Sequence, residues 1–307
     1  MTKVFIDGSA GTTGLRIRER LSGRKDLELI VLPEETRKDP AARADVLNSA
    51  AVSFLCLPDA AAIEAASFVT DPDAVIIDTS TAHRVAEGWT YGMPELAGQR
   101  EKLKAAKRIA NPGCHATGFI SLVAPLAAAG IIGRDVRLSC FSLTGYSGGG
   151  KRMIAEYESP DMDPLYQAPR QYGLGQAHKH LPEMAKVCGL DHAPVFCPIV
   201  APYYAGMEVT VPLTPADTSA SVEEIKEVYK AYYQGGLIRF AEGTDEGGFL
   251  SASAFAGRDD LEVSVFGNEE RILLVSRFDN LGKGASGAAI QNMNLVLGLD
   301  EDTGLIK

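Results

Sequence analysis

The sequence has little of what would tie it to nucleic acid, to a membrane or to an oxidising compartment. Its 30 Lys and Arg stand against 40 Asp and Glu, a formal charge of −10. Clustered positive charge, which phosphate backbones and anionic lipids require, is missing. A small anion held by a few local cations or backbone N–H groups stays open. Cysteine is scarce and odd in number: Cys56, Cys114, Cys140, Cys188 and Cys197 make five, with no CxxC spacing. Neither a disulfide framework nor a metal site is expected, and reduced thiols in the cytoplasm are the default. No hydrophobic run is long. The most apolar stretch, Phe119 to Ile132, contains Pro125, falls short of the ~20 residues a bilayer needs, and reads as a buried helix. The opening Val4-Phe5-Ile6 runs into Asp7-Gly8 too soon for the core of a signal peptide. With 46% hydrophobic and 23% charged residues, disorder and low complexity are excluded as well.

What is present is enough chain for two domains: 307 residues against the ~100–150 of a typical one. The first ~110 residues alternate short apolar runs with helix-like segments. Strands are expected over 3–7, 27–32, 52–57 and 74–78, and helices over 12–22, 40–50 and 60–69. That βαβ order predicts a parallel sheet covered on both faces. Beyond residue 134 the runs 136–143, 195–200, 207–213, 261–267 and 271–278 are longer and β-branched, which predicts a mixed, mainly antiparallel sheet in a second, α+β domain. Between them, Gly145 to Pro182 is rich in Gly, Pro and Tyr and too long for a plain connector, so a functional loop is expected. The stretch 284–299 carries apolar residues at helical spacing.

Three motifs carry chemistry. Gly8-Ser9-Ala10-Gly11-Thr12-Thr13-Gly14 follows the first strand and opens a helix. It is a GxxGxxG variant of the dinucleotide loop, in which glycines let the backbone approach a pyrophosphate at a helix N-terminus. The second strand leads into Leu32-Pro33 rather than an acidic residue, and Thr36-Arg37-Lys38 follow. Arg37 therefore suits a 2′-phosphate, and NADP is favoured over NAD. In Asn111-Pro112-Gly113-Cys114-His115-Ala116-Thr117-Gly118, Cys114 falls at the start of the apolar helix, where the helix dipole lowers a thiol pKa. Cys56 and Cys140 sit inside strand-like runs and read as structural; Cys114 reads as a nucleophile. Its proton shuttle is expected from His178 and His180 in Gly175-Gln-Ala-His178-Lys-His180-Leu-Pro182-Glu183, which face one side if that loop is extended. His115 is the second choice. No third ligand at a usable spacing joins the two histidines, so no metal is expected. The third motif, Gly145-Tyr-Ser147-Gly148-Gly149-Gly150-Lys151-Arg152, reads as a backbone nest for phosphate or carboxylate or as a flexible hinge. Asp78-Thr-Ser80-Thr-Ala-His83-Arg84 follows the fourth strand at the sheet's carboxyl edge, where such folds bind ligands. There Arg84 reads as an anion contact or a surface arginine.

Together these motifs, with Tyr91-Gly-Met-Pro94-Glu95 and Asp279-Asn280-Leu-Gly-Lys283-Gly284, resemble the N-acetyl-γ-glutamyl-phosphate reductases of arginine biosynthesis, in the shorter type 2 form. The resemblance covers most of the chain. It implies NADPH-dependent reduction of an acyl phosphate through a Cys114 thioester, with His178, or alternatively His180, as acid–base. It implies a Rossmann-type NADP-binding domain over 1–113 plus 283–307 and a catalytic and oligomerisation domain over 114–282. Cofactor contacts are expected from Gly8 to Gly14, Arg37, Ser80, Asn280 and Lys283, and substrate contacts from Arg84, Asn111, Ser147, Gly148 and Lys151. A homodimer or homotetramer acting on a small molecule is expected, without nucleic acid or membrane. Asp78-Thr-Ser-Thr-Ala-His-Arg84 departs from the Asp-Leu-Ser-Ala-Asp-Phe-Arg of the longer form, though Arg84 is kept. Aspartate-semialdehyde dehydrogenases and aminoadipyl-phosphate reductases run the same chemistry on other acyl phosphates. A cofactor-free Cys-His hydrolase and a non-catalytic redox module are the readings from other classes.

Overall fold

Short runs such as Val75-Ile76-Ile77, apolar at every position, can only be satisfied by a sheet buried on both sides. The computed structural model, which describes residues 1–307, has that sheet. Thr2–Asp7 (β1), Leu27–Ile30 (β2), Val52–Leu55 (β3), Val75–Asp78 (β4), Thr90–Tyr91 (β5) and Arg108–Ala110 (β6) pair in the order β2-β1-β3-β4-β6-β5. Every pairing is parallel. Successive side chains point to opposite faces. Val4 and Ile6 therefore pack with Ile17, Phe54 and Ile77, and with Ala289, Ile290 and Met293 of the helix Gly287–Val296. Phe5 packs on the other side with Leu47, Leu55, Ala62 and Ile76. The strand order reverses between β1 and its two neighbours, β2 and β3, the switch point where open α/β sheets hold ligands. The chain divides into two compact units, Met1–Gly113 with Ala285–Leu305, and Cys114–Gly284 with Ile306–Lys307.

The second unit is built on Ser139–Gly145 (β7), Arg170–Gln171 (β8), Val195–Ala201 (β9), Met207–Leu213 (β10), Ile238–Phe240 (β11), Leu261–Asn268 (β12) and Arg271–Phe278 (β13). Their order is β11-β12-β13-β10-β7-β9-β8. The β7–β9 and β11–β12 pairs are parallel and the rest antiparallel. This is the mixed, largely antiparallel sheet expected. The helix Cys114–Ala128 is buried over most of its length and packs on β10 and β13 and between the helices Leu181–Cys188 and Val222–Tyr232. Pro125 inside it has no N–H for the carbonyl of Ser121 one turn earlier. The Tyr233 hydroxyl donates to that carbonyl at 2.6 Å, and the Tyr229 hydroxyl donates to Leu122 O at 2.5 Å. The Tyr233 phenol thus caps the carbonyl that the proline leaves open, and the Tyr229 phenol adds a donor at the next carbonyl.

Two expectations are corrected. The strand placed at 136–143 begins at Ser139, because Val136 is drawn into a turn by its N–H bond to Gly133 O. The segment from Gly145 to Pro182 is not a plain loop or hinge. It holds a 3-10 turn over Tyr146–Gly149, the helix Gly150–Tyr157, a second 3-10 turn over Pro164–Gln167 and β8. Its tyrosines order it: Tyr146 stacks on Tyr157 at 4.7 Å and Tyr157 on Tyr166 at 5.0 Å, while the Arg170 guanidinium lies 3.7 Å from the Tyr166 ring centre. The short β5, β6, β8 and β11 and the helix Gln99–Ala105 carry too few apolar residues to stand out in the sequence; the helix Val222–Tyr232 went unread although Ser221 and Glu224 form a capping box before its apolar face.

The Tyr233 cap gives a direct test. Tyr233→Phe should cost about 1–3 kcal/mol by stranding the Ser121 carbonyl. Adding Pro125→Ala restores an N–H donor, so the double variant should recover part of that loss in urea unfolding. Strictly additive effects would show that the hydroxyl does not replace the missing N–H.

Candidate active site

In the first unit, Asp7 ends β1 and the chain turns at Gly8 with φ +85°. A Cβ there would lie 2.3 Å from Cys56 O, so no side chain fits. Gly11 N donates to Gly8 O at 3.0 Å and closes the loop. The helix Thr12–Leu21 then begins at Gly11 with no side-chain cap and no acidic residue in its first turn. Uncapped N–H groups and the positive end of the dipole are what a phosphate requires. Ser9, Thr12 and Thr13 are half-buried around it, and Ala10 is exposed. Arg37 lies in the turn after β2, half-exposed and paired with Glu34.

At the end of β4 the buried Asp78 organises the next turn. It accepts from Ser80 N at 2.9 Å and Ser80 Oγ at 2.7 Å and lies 2.6 Å from His83 Nδ1, whose ring stacks on Trp89 at 3.9 Å. Arg84 donates from Nε to Asn111 O at 3.0 Å and from Nη2 to Thr79 O at 3.2 Å. Asn111 is 1% exposed; its N–H donates to Asp78 O, its side-chain amide donates to Ala285 O at 3.0 Å, and its Oδ1 accepts from Asn292. Arg84 and Asn111 thus brace the turn that follows β6.

In the second unit Cys114 is the first residue of its helix and is half-buried. Burial pushes the thiols of Cys140 and Cys188 far up, so those two are inert. Gly284 lies against Cys114, with a Cβ there only 2.9 Å from the Cys114 Cβ. His115 is 3% exposed. Its Nδ1 lies 2.7 Å from Ser142 Oγ and its Nε2 2.7 Å from the Tyr172 hydroxyl. Burial, helped by His178, pushes the His115 pKa down to about 3, so the ring is neutral. His178 and His180 stand beside it, with ring centres 5.6 and 5.5 Å from His115 and 4.8 Å from each other. They meet through a turn rather than an extended strand, since His180 N donates to His178 Nδ1 at 3.3 Å. His178 is half-buried and His180 buried at the start of the helix Leu181–Cys188.

Ser147 and Asn280 meet in the same unit. Asn280 Nδ2 donates to Ser147 Oγ at 2.9 Å, and Asn280 Oδ1 accepts from Gly206 N at 2.9 Å. One end of that amide holds the 145–149 turn and the other holds the chain just before β10. Gly148 and Lys151 are exposed, with Lys151 in the first turn of the helix Gly150–Tyr157. Lys283 is buried, in a segment organised by Asp279, whose carboxylate accepts from Leu281 N and Gly257 N. No group of three His, Cys, Asp or Glu is arranged to hold a metal ion, and no helix is long and apolar enough to cross a membrane. Tyr172 and Ser142 were missed from sequence. Tyr172 enters the site because its N–H donates to Pro198 O of β9, a long-range pairing with no local signal.

The chain matches two domain families, the semialdehyde dehydrogenase NAD binding domain over residues 33–106 and the semialdehyde dehydrogenase dimerisation domain over 114–280. It is 46% identical to N-acetyl-gamma-glutamyl-phosphate reductase 2 of Nostoc sp., over 99% of both chains. It is also 46% identical to the N-acetyl-gamma-glutamyl-phosphate reductase of Rhizobium etli, over 96% of this chain and 98% of that one. Among solved structures it resembles aspartate semialdehyde dehydrogenase II of Vibrio cholerae, with a TM-score of 0.71 at 17% identity over 97% of this chain and 98% of that one, a likeness of fold.

The depressed His115 pKa has a consequence for stability. Between pH 6.5 and about 3 the unfolded imidazole binds a proton that the folded one refuses. Stability therefore falls as pH drops through that window, by up to about 1.4 kcal/mol per pH unit from this group. His115→Gln should flatten the slope of urea stability against pH across it. An unchanged slope would show that His115 is not held neutral by the fold.

Proposed function

The chain belongs to the N-acetyl-γ-glutamyl-phosphate reductases, and on that footing we propose that it reduces N-acetyl-γ-glutamyl phosphate to N-acetylglutamate 5-semialdehyde with NADPH, releasing phosphate, as an oxidoreductase of arginine biosynthesis. The observation that carries this reading is the 46% identity across 99% of both chains. The arrangement supports it: Cys114 stands at a helix N-terminus and His178 and His180 pack on the next residue of that helix, His115, the groups that acyl transfer to sulfur needs.

Cys114 is the nucleophile. His178, with His180 as the alternative, takes the thiol proton, and the thiolate attacks the acyl carbon. The carbon–oxygen bond to phosphate breaks, phosphate leaves with its electron pair, and a thioester remains on Cys114. The N–H groups of the helix's first turn face the oxyanion of that step. NADPH, when bound, supplies the hydride that takes the thioester carbon to the aldehyde level. Collapse of the tetrahedral adduct frees the aldehyde and returns the thiolate, and the histidine hands the proton back.

The loop Gly8–Gly14 fits a pyrophosphate: its first turn tolerates no side chain and its helix is uncapped. Arg37 is the residue for a 2′-phosphate, once released from Glu34, and this makes NADP the preferred cofactor. Ser80 serves the cofactor from the turn that Asp78 shapes, and Asn280 and Lys283 serve it from the segment before Gly284. Gly148 and Lys151 offer N–H and ammonium donors to the anionic substrate. Arg84, Asn111 and Ser147 serve that substrate by holding their turns in shape. The unit Met1–Gly113 with Ala285–Leu305 is the NADP-binding domain; residues 114–284 form the catalytic domain, through which the protein assembles as a homodimer or homotetramer. The enzyme works in the cytoplasm.

The reaction run in reverse tests the substrate. Phosphate-dependent reduction of NADP should be strong with N-acetylglutamate semialdehyde and weak with aspartate semialdehyde; the opposite preference overturns the proposal. Cys114→Ser should abolish turnover while sparing NADPH affinity. His178→Ala should slow it by roughly 10²–10⁴-fold, the scale for an acid–base group; the same loss with His180→Ala alone would shift the role to His180. Arg37→Ala should weaken NADPH binding far more than NADH binding, and equal losses would exclude a 2′-phosphate contact.

A further inference from the structure

One residue of the second unit holds a conformation that the mechanism above leaves unused. Gln176 has φ +51° and is the one non-glycine residue of the chain in the left-handed region. A residue with a Cβ is uncommon there and stays only where its surroundings impose it. Gln176 is exposed, so core packing does not impose it. Its own side chain does: Nε2 donates to Phe196 O at 2.7 Å, and Oε1 accepts from Phe196 N at 2.9 Å. We propose that this clamp makes Gln176 the positioning residue of the acid–base histidine, fixing the loop 173–180 on β9 so that His178 is held against His115. The inference rests on His178 as the group that takes the Cys114 proton, as argued above.

Three observations carry it. The clamp completes a ladder that the backbone leaves unfinished. Val195 N donates to Leu138 O, just before β7, so Phe196 turns its N–H and C=O to the opposite edge. On that edge β8 covers Val200 and Ile199, and Tyr172 N reaches Pro198 O. Phe196 comes next and would stand bare. The Gln176 amide, with one donor and one acceptor engaged, takes the place of a strand residue there.

The same Phe196 also carries His178. Its ring is 1% exposed and meets the His178 ring edge-on at 5.1 Å and the His115 ring at 5.2 Å. Gln176 therefore grips the backbone of the residue on whose ring His178 rests, two positions further along the chain. His115 follows Cys114 in its helix, so the clamp sets where the imidazole stands relative to the helix N-terminus.

The third observation is how little else holds this stretch. Gly173 and Gly175 offer no side chains, and Leu174 is exposed. Gln176 N closes a turn on Gly173 O at 3.0 Å, a bond within the loop. The two bonds of the Gln176 amide are the ones that tie it to the sheet. Glycines lose the most freedom on ordering, so a loop of this composition needs such a tie to present a side chain in one place.

The test is a double-variant cycle in the full-length protein. Gln176→Gly suits the left-handed backbone and removes only the clamp, so the variant should melt close to the wild type. In phosphate-dependent reduction of NADP with N-acetylglutamate semialdehyde, kcat should fall about 10²-fold, the scale for a group displaced by ~1 Å, with KM unchanged. Made in the His178→Ala protein, the same substitution should change kcat by less than about twofold, because no imidazole is left to position. Losses that multiply in the double variant overturn the proposal, since that pattern marks a structural role. An unmoved kcat in Gln176→Gly overturns it equally. If Gln176→Gly does not fold, Gln176→Glu, which keeps the acceptor for Phe196 N and loses the donor to Phe196 O, runs the same cycle and decides. Alkylation of Cys114 by iodoacetamide, read by mass spectrometry on its peptide, needs no substrate and slows when the thiol loses its base. Slower alkylation in Gln176→Gly and in His178→Ala, with no further slowing in the double variant, would support the clamp even without semialdehyde turnover and reject only the substrate. A His178→Ala protein unchanged in both alkylation and turnover would overturn the acid–base assignment and the clamp with it.

Discussion

Everything in the second unit depends on one constraint: the N-terminus of a buried helix must be left open for a thiol. The helix Cys114–Ala128 is apolar on nearly every side, and a helix of that kind is stable only when covered all round. Sheet strands β10 and β13 and two helices cover it. Its first turn therefore sits in surroundings of low dielectric, where unsatisfied N–H groups act on a neighbouring charge more strongly than in water. Cys114 occupies that turn. The same burial keeps His115 neutral and Tyr172 protonated, so the groups beside the sulfur are dipoles rather than competing charges.

The covering creates its own difficulty, solved at a distance. Pro125 deprives the carbonyl of Ser121 of its partner in a place no water reaches, and Tyr233, just past the end of the helix Val222–Tyr232, supplies the donor. The approach of Gly284 to Cys114 has a similar logic: a side chain at 284 would displace the nucleophile. In the first unit the corresponding constraint is at Gly8, where the strand must turn beneath the carbonyl of Cys56 before an uncapped helix can begin.

The sequence was most legible where chemistry and backbone geometry coincide. Gly8–Gly14 and the Asn111–Gly118 run could be read because glycine and proline there answer to local φ and ψ demands. The first four strands of the parallel sheet could be read because burial on both faces leaves few polar positions. What could not be read depends on pairing across the chain. Asn280 spans from its own segment to Ser147 and Gly206, and Tyr172 joins His115 because β8 pairs with β9. No local pattern announces either. The tyrosine stack that orders residues 146–170 was hidden in the same way: Gly, Pro and Tyr together look like a loop until Arg170 and three rings are seen to pack.

The central claim is that the reaction passes through an acyl group carried on Cys114. A single-turnover experiment without phosphate tests it most directly. The protein is mixed with NADP and N-acetylglutamate semialdehyde in phosphate-free buffer, and NADPH is followed while the protein is digested for mass spectrometry. The account predicts a burst of one NADPH per active site, which stops there, with the N-acetylglutamyl group on the Cys114 peptide and its release on adding phosphate. Absence of a burst until phosphate is added, or an acyl group found elsewhere than Cys114, would contradict it.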